Sequence, residues 1–108
     1  MSKAAYWQRG ETLDYKNNTA EVIEANSIIQ IQGRIGVAGT SINPGEVGSL
    51  HVTGVYEMPK TGETAIAQGA DVYFDGTGIT ATSGGTKAGY AAADAAEADT
   101  VILVKLQG

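Results

Sequence analysis

The chain has 108 residues, 43% of them hydrophobic, with 15 glycines, two prolines and no cysteine. That length supports one domain whose core buries roughly two-thirds of the surface exposed by the unfolded chain, and the missing cysteine removes disulfides, thiolate nucleophiles and zinc–thiolate sites. Seven Lys and Arg against twelve Asp and Glu leave a net charge of −5, which speaks against nucleic acid and anionic membranes as partners.

The sequence reads as all-β, a small barrel or sandwich of short strands with glycine-rich turns and an N-terminal arm. Residues 1–10 form that arm or a first strand, and 11–108 a single β-rich domain. Ala5 to Arg9 reads as the strand, ended at Gly10. The single Trp7 lies near the terminus, where a large ring points to an arm docked on its own body or on a neighbour. Thr12 to Tyr15 continues after a turn, and Asn17-Asn18 turns again. Ala20, Val22 and Ile23 give a short strand. Ile28 to Gln32 and Arg34 to Ala38 flank Gly33 as a tight hairpin or bulged strand, with glycine supplying the positive φ. Asn43-Pro44-Gly45-Glu46 carries type II turn chemistry, proline at the second position and glycine at the third.

Leu50, Val52, Gly54, Tyr56 and Met58 alternate with more polar neighbours, the pattern of one strand with one buried face. Pro59 ends it. Thr64 to Gln68 is a short extended piece, and Val72-Tyr73-Phe74 a strand closed by the turn Asp75-Gly76-Thr77-Gly78. Ile79 to Thr82 is strand-like, and Ser83-Gly84-Gly85-Thr86 turns. Gly89 to Ala92 is a strand followed by a loop with room for one helical turn before Asp99. Val101 to Leu106 is the last strand, with Ile102, Val104 and Leu106 on one face. Ile42-Asn43-Pro44-Gly45 and Ile66-Ala67-Gln68-Gly69 echo each other as I-x-x-G. A glycine turn leading into a strand explains both without a repeat.

The sequence offers little catalytic chemistry. No stretch fits a P-loop, the nearest being Gly84-Gly85-Thr86-Lys87. His51 is the single histidine, and no nucleophile elbow surrounds Ser41 or Ser49. Asp94, Glu97 and Asp99 cluster, and Asp71 and Asp75 flank a strand, but without calcium-loop spacing. These acids read as a solvated face. The seven basic residues (Lys3, Arg9, Lys16, Arg34, Lys60, Lys87, Lys105) are scattered singly. The N-terminus lacks the apolar core of a signal peptide, so synthesis in a cytoplasm is expected. No catalytic, cofactor or metal residue is assigned. The aromatic residues fit the core and protein–protein contacts.

The order of these blocks resembles the small phage and prophage capsid cement (decoration) proteins, a family whose members are often mislabelled as RecA/RadA-like recombinases. The resemblance runs from Tyr6-Trp7-Gln8-Arg9-Gly10-Glu11 through Ile35-Gly36-Val37-Ala38 and Ile42-Asn43-Pro44-Gly45-Glu46-Val47-Gly48. Its most specific piece is Val52-Thr53-Gly54-Val55-Tyr56-Glu57-Met58-Pro59-Lys60. It continues over residues 66–75 and 89–91 to the terminal strand. It departs at Ile28-Ile29-Gln30-Ile31-Gln32, which is richer in apolar residues than the family pattern. The resemblance implies a non-enzymatic virion protein on the capsid exterior, bound to the major capsid protein as a homo-oligomer, a trimer. It implies no cofactor. Tyr6, Trp7 and Arg9 are the candidate protein–protein contacts. A β-scaffold module of a phage tail or host-recognition structure is the alternative.

Overall fold

The computed structural model describes residues 2–106, and over them the chain is all-β. Nine strands form among the described residues: β1 (Thr12–Lys16), β2 (Ile28–Ile31), β3 (Arg34–Ala38), β4 (Val47–His51), β5 (Val55–Pro59), β6 (Asp71–Phe74), β7 (Ile79–Thr80), β8 (Thr86–Ala91) and β9 (Val101–Leu106). They make two antiparallel sheets, ordered β1-β4-β3-β2 and β5-β9-β8-β6-β7. The sheets are not closed into a barrel, so the sandwich-like arrangement is the one realised.

Several expected strands change. Ala5 to Arg9 forms none, because these residues find no partner strand and stay exposed. Residues 20–23 and 64–68 contract to single bridges, Ile23 with Ile42 and Ile66 with Ala95. The alternating run from Leu50 to Met58 is two strands in different sheets, β4 and β5, with the chain crossing over at Val52-Thr53-Gly54. Alternation persists across the crossing because both strands bury one face. The segment before Asp99 contains no helical turn, and β8 begins at Thr86, within the expected turn.

Other readings hold. Ile28–Ile31 and Arg34–Ala38 pair as a hairpin with Gln32-Gly33 as its loop. The left-handed residue there is Gln32, at φ 55°, and not the glycine. A side chain in that region is strained by about 1 kcal/mol. Gln32→Gly is therefore expected to raise stability by about 0.5 kcal/mol once glycine's greater unfolded-chain entropy is set against the relief. Thermal melts of the two proteins check this. The Pro44-Gly45 turn has Gly45 at φ 81° and is closed by the Glu46 N–H donating to the Asn43 carbonyl at 3.0 Å.

The two sheets repeat one plan. β1, β2, β3 and β4 correspond to β5, β6, β8 and β9, since both sheets run in that same spatial order and β7 is the addition. Thr12, Ile23 and Ile28 lie 43 positions before Val55, Ile66 and Asp71. Ile42 lies 53 positions before Ala95, the difference falling where β7 and its turns are inserted. Each half has one reciprocal bridge, Ile23 with Ile42 and Ile66 with Ala95, with N–H to carbonyl distances of 2.8–2.9 Å. A four-residue turn follows every bridge residue. The N–H groups of Ser27, Glu46, Ala70 and Asp99 donate to the carbonyls of Glu24, Asn43, Ala67 and Ala96. The I-x-x-G echo marks two of these four turns, but Ile42 corresponds to Ala95 and Ile66 to Ile23, so it reflects shared turn chemistry and not the repeat itself.

The cores repeat as well. In the first half Tyr15, Ile23, Ile29, Ile31, Ala38 and Leu50 pack together. Their counterparts Met58, Ile66, Val72, Phe74, Ala91 and Val104 lie in the second core. Ile35 and Val37, alternating with Gly36 and Ala38 along β3, join that second core and weld the halves. Burial of these aliphatic side chains is the main stabilising term.

Candidate contact surface

The arm leaves the body just before Thr12. Tyr6 is 82% exposed and Trp7 88% exposed. Arg9 reaches Glu11 across 4.0 Å, and the Gln8 Nε2 donates to the Thr12 carbonyl at 3.3 Å. The rings are therefore not docked on their own body. The arm segment 1–9 carries Lys3 and Arg9 with no acid, so the other 99 residues hold a formal charge of −7.

A second exposed apolar surface lies on the outer face of β5, β9 and β8. Val101 and Leu103 point away from Ile102, Val104 and Leu106, because successive side chains alternate across a strand. Val55, Val101, Leu103 and Tyr90 are each 41–52% exposed. Val55 and Tyr90 both neighbour Lys105 in the register, and Glu57 neighbours Leu103. The sequence carried the signal: Val101-Ile102-Leu103-Val104 is apolar on both faces, and one of them faces solvent.

The polar side chains that drew attention as chemistry do structural work. His51 is half-buried on β4, its ring 6.4 Å from that of Tyr56. Asp75 accepts hydrogen bonds from the Thr61 hydroxyl at 2.7 Å and from the N–H groups of Thr77 and Gly78 at 2.8 and 2.9 Å. The Thr61 bond, then those from Gly78 and Thr77, hold its carboxyl below the ordinary 3.8. Asp94 accepts from the Gln68 N–H and Asp99 from the Ala96 N–H. Asp71 pairs with Lys87 at 3.7 Å. The acidic cluster is thus partly a set of turn caps and not merely a solvated face. Among the described residues no group of three or more His, Asp or Glu is placed to hold a metal.

Among the described residues two polar side chains are buried, Asn17 and Lys60, and sequence reasoning missed both. They occupy the same place in the two halves, 43 positions apart, just after β1 and β5. The Asn17 Nδ2 donates to the Ile42 and Glu21 carbonyls, both at 2.8 Å. Lys60 Nζ donates to the Gly62 and Glu97 carbonyls at 3.4 and 3.3 Å. Each side chain ties its strand's end to the half's later bridge-and-turn segment. Only the repeat itself would have signalled them.

A phage cement protein family model matches residues 7–106. The chain belongs to the phage cement protein family. Comparisons with curated proteins and with solved structures give no match. Cement proteins are structural virion components, and this one accordingly has a phage capsid-associated structural role. The match starts at Trp7, so part of the exposed arm lies within the cement region.

Proposed function

We propose that this cement protein binds the outer surface of a phage capsid and stabilises contacts between major capsid protein subunits. The observation that carries the reading is the pairing of family membership over residues 7–106 with two exposed apolar surfaces. A shell-binding protein needs broad contact surface, and exposed apolar patches mark such sites. The outer face of β5, β9 and β8 supplies the broad surface. Tyr6, Trp7 and Arg9 supply residue types enriched at protein contacts. Net negative charge limits attraction to packaged DNA. The protein acts as a homo-oligomer, made in the host cytoplasm and carried on the virion exterior.

Co-sedimentation with expanded capsids tests this. The full chain is expected to pellet with them, and removal of residues 2–9 to weaken that attachment at least tenfold with the melting temperature held within about 3 °C. No binding to any capsid form would overturn the reading, and labelling found at the tail with none on the shell would replace it with a tail module.

A further inference from the structure

The internal repeat shows what is missing from the first half. In the second half, β7 lies antiparallel beside β6, with Tyr73 opposite Thr80 and Phe74 opposite Ile79. Ile79 is fully buried and belongs to the second core. It also bridges in parallel to Lys60, the residue after β5. Among the described residues the first half has no counterpart of β7. Its β2 is the last strand of the sheet, and among the described residues no strand pairs with its outer side. The matching core is less sealed: Tyr15 and Ile23 are half-buried where Met58 and Ile66 are buried.

β2 also lacks the usual protection of an edge. Edge strands are normally very short, charged, broken by proline or bulged. β1 carries Asp14 and Lys16, β5 carries Glu57 and Pro59, and β7 has two residues. β2 reads Ile28-Ile29-Gln30-Ile31, with no charge. In its two-residue hairpin Ile31 and Arg34 are the closing hydrogen-bonded pair, so by alternation the N–H and C=O groups of Ile28 and Gln30 point outward. Gln30 corresponds to Tyr73, whose neighbour on that side is Thr80.

We propose that the N-terminal arm of a second copy adds as a strand to the outer edge of β2, taking between copies the place that β7 fills beside β6. The arm has the required chemistry. Its described residues lie in no strand, helix or turn, and it exposes Tyr6 and Trp7. It is basic, and the remainder it would meet carries −7, with exposed Glu21 and Glu24 on the segment leading into β2. Strand addition supplies main-chain hydrogen bonds, and a ring turned inward takes the role of Ile79.

The same chain's arm does not fit there. A strand placed as β7 runs in the sense of β1 and ends beside Asn17-Asn18, as β7 lies beside Lys60 and Thr61. Asn17 is five residues past Thr12, about 17 Å along an extended chain. After Trp7 the arm would have to reverse and cover that distance with residues 8–11, of which Gly10 already sits in a left-handed turn at φ 79°. A second copy is under no such constraint.

The test uses the full chain without capsids, so its result is independent of shell binding. Trp7 is the single tryptophan, and its fluorescence reports the arm directly. Over a concentration series, sedimentation is expected to show self-association and Trp7 emission to move to the blue in step. Amide exchange at Ile28 and Gln30 is expected to slow on association. Gln30→Pro removes the outward donor without touching the β3 side, and Trp7→Ala changes an exposed ring. Each is expected to weaken self-association at least about tenfold, equivalent to about 1.4 kcal/mol. A chain that stays monomeric overturns the proposal. So does association with Trp7 still in water, or with exchange at Ile28 and Gln30 unchanged. If Gln30→Pro fails to fold, Trp7→Ala and the exchange data decide.

Discussion

Asn17→Ala is expected to lower stability by about 2–3 kcal/mol, or roughly 10 °C in melting temperature for a chain this size. Asn17 is fully buried, and its amide serves both ends of a junction. Its Nδ2 donates to the Ile42 and Glu21 carbonyls, and its Oδ1 accepts from the Thr19 N–H at 2.9 Å and the Thr19 hydroxyl at 2.6 Å. The groups of Thr19 and Glu21 lie near solvent and regain water when the amide is removed. The Ile42 carbonyl is buried but keeps the Ile23 N–H. The loss is therefore smaller than four separate hydrogen bonds, and part of it is the void left behind. Asn17→Asp separates the electrostatic part. It retains the acceptor facing Thr19 but turns an oxygen toward two carbonyls. Burial and those carbonyls raise the carboxyl's folded pKa above its unfolded value. The deficit is accordingly largest at neutral pH and shrinks as pH falls through the raised pKa. Thermal melts of the three proteins at pH 7 and pH 5 check both statements. An alanine variant as stable as the parent would mean that Asn17 does not hold the junction.

What was legible in the sequence follows from where local chemistry decides the outcome. Pro44-Gly45 can hardly do anything but turn, and Ile28 to Ala38 folds back on itself through a two-residue loop. The terminal strand shows both its core face and its outer apolar face. Legibility ends where a partner decides. Ala5-Tyr6-Trp7 has strand propensity but no strand beside it, so it remains an arm. Leu50 to Met58 alternates without interruption, and alternation does not reveal which sheet each half of the run joins. Nothing local marks Asn17 or Lys60 as buried, since each is buried by a turn almost thirty or more residues later in the chain. The repeat was faint because it is kept by burial and turn geometry. Ile29 and Val72, or Ile42 and Ala95, share a position with different volumes, and the insertion of β7 breaks the spacing between halves.

Gly54→Val is expected to cost about 3 kcal/mol or more, the largest loss from any exposed or half-exposed position discussed. Gly54 stands where the chain leaves the first sheet for the second, at φ 112°. That value lies well outside the narrow left-handed well near +57° that L residues can enter. Space is not the obstacle: an added Cβ would meet Tyr56 Cε2 at 3.4 Å, an ordinary contact. The cost lies in the backbone, and valine's branched Cβ makes it steeper than alanine's. The backbone cannot relax freely, because the Gly54 carbonyl accepts the Leu106 N–H at 2.9 Å and begins the β5–β9 pairing. Gly62 provides the contrast. Its φ of 80° is nearer the left-handed well, and nothing lies within 4 Å of an added Cβ. Gly62→Ala should therefore cost only about 1 kcal/mol, against about 2 for Gly54→Ala. Melting temperatures falling in the order Gly62→Ala, Gly54→Ala, Gly54→Val would place the strain at the crossover. Equal losses at the two glycines would show that the chain passes between its sheets without needing that backbone conformation.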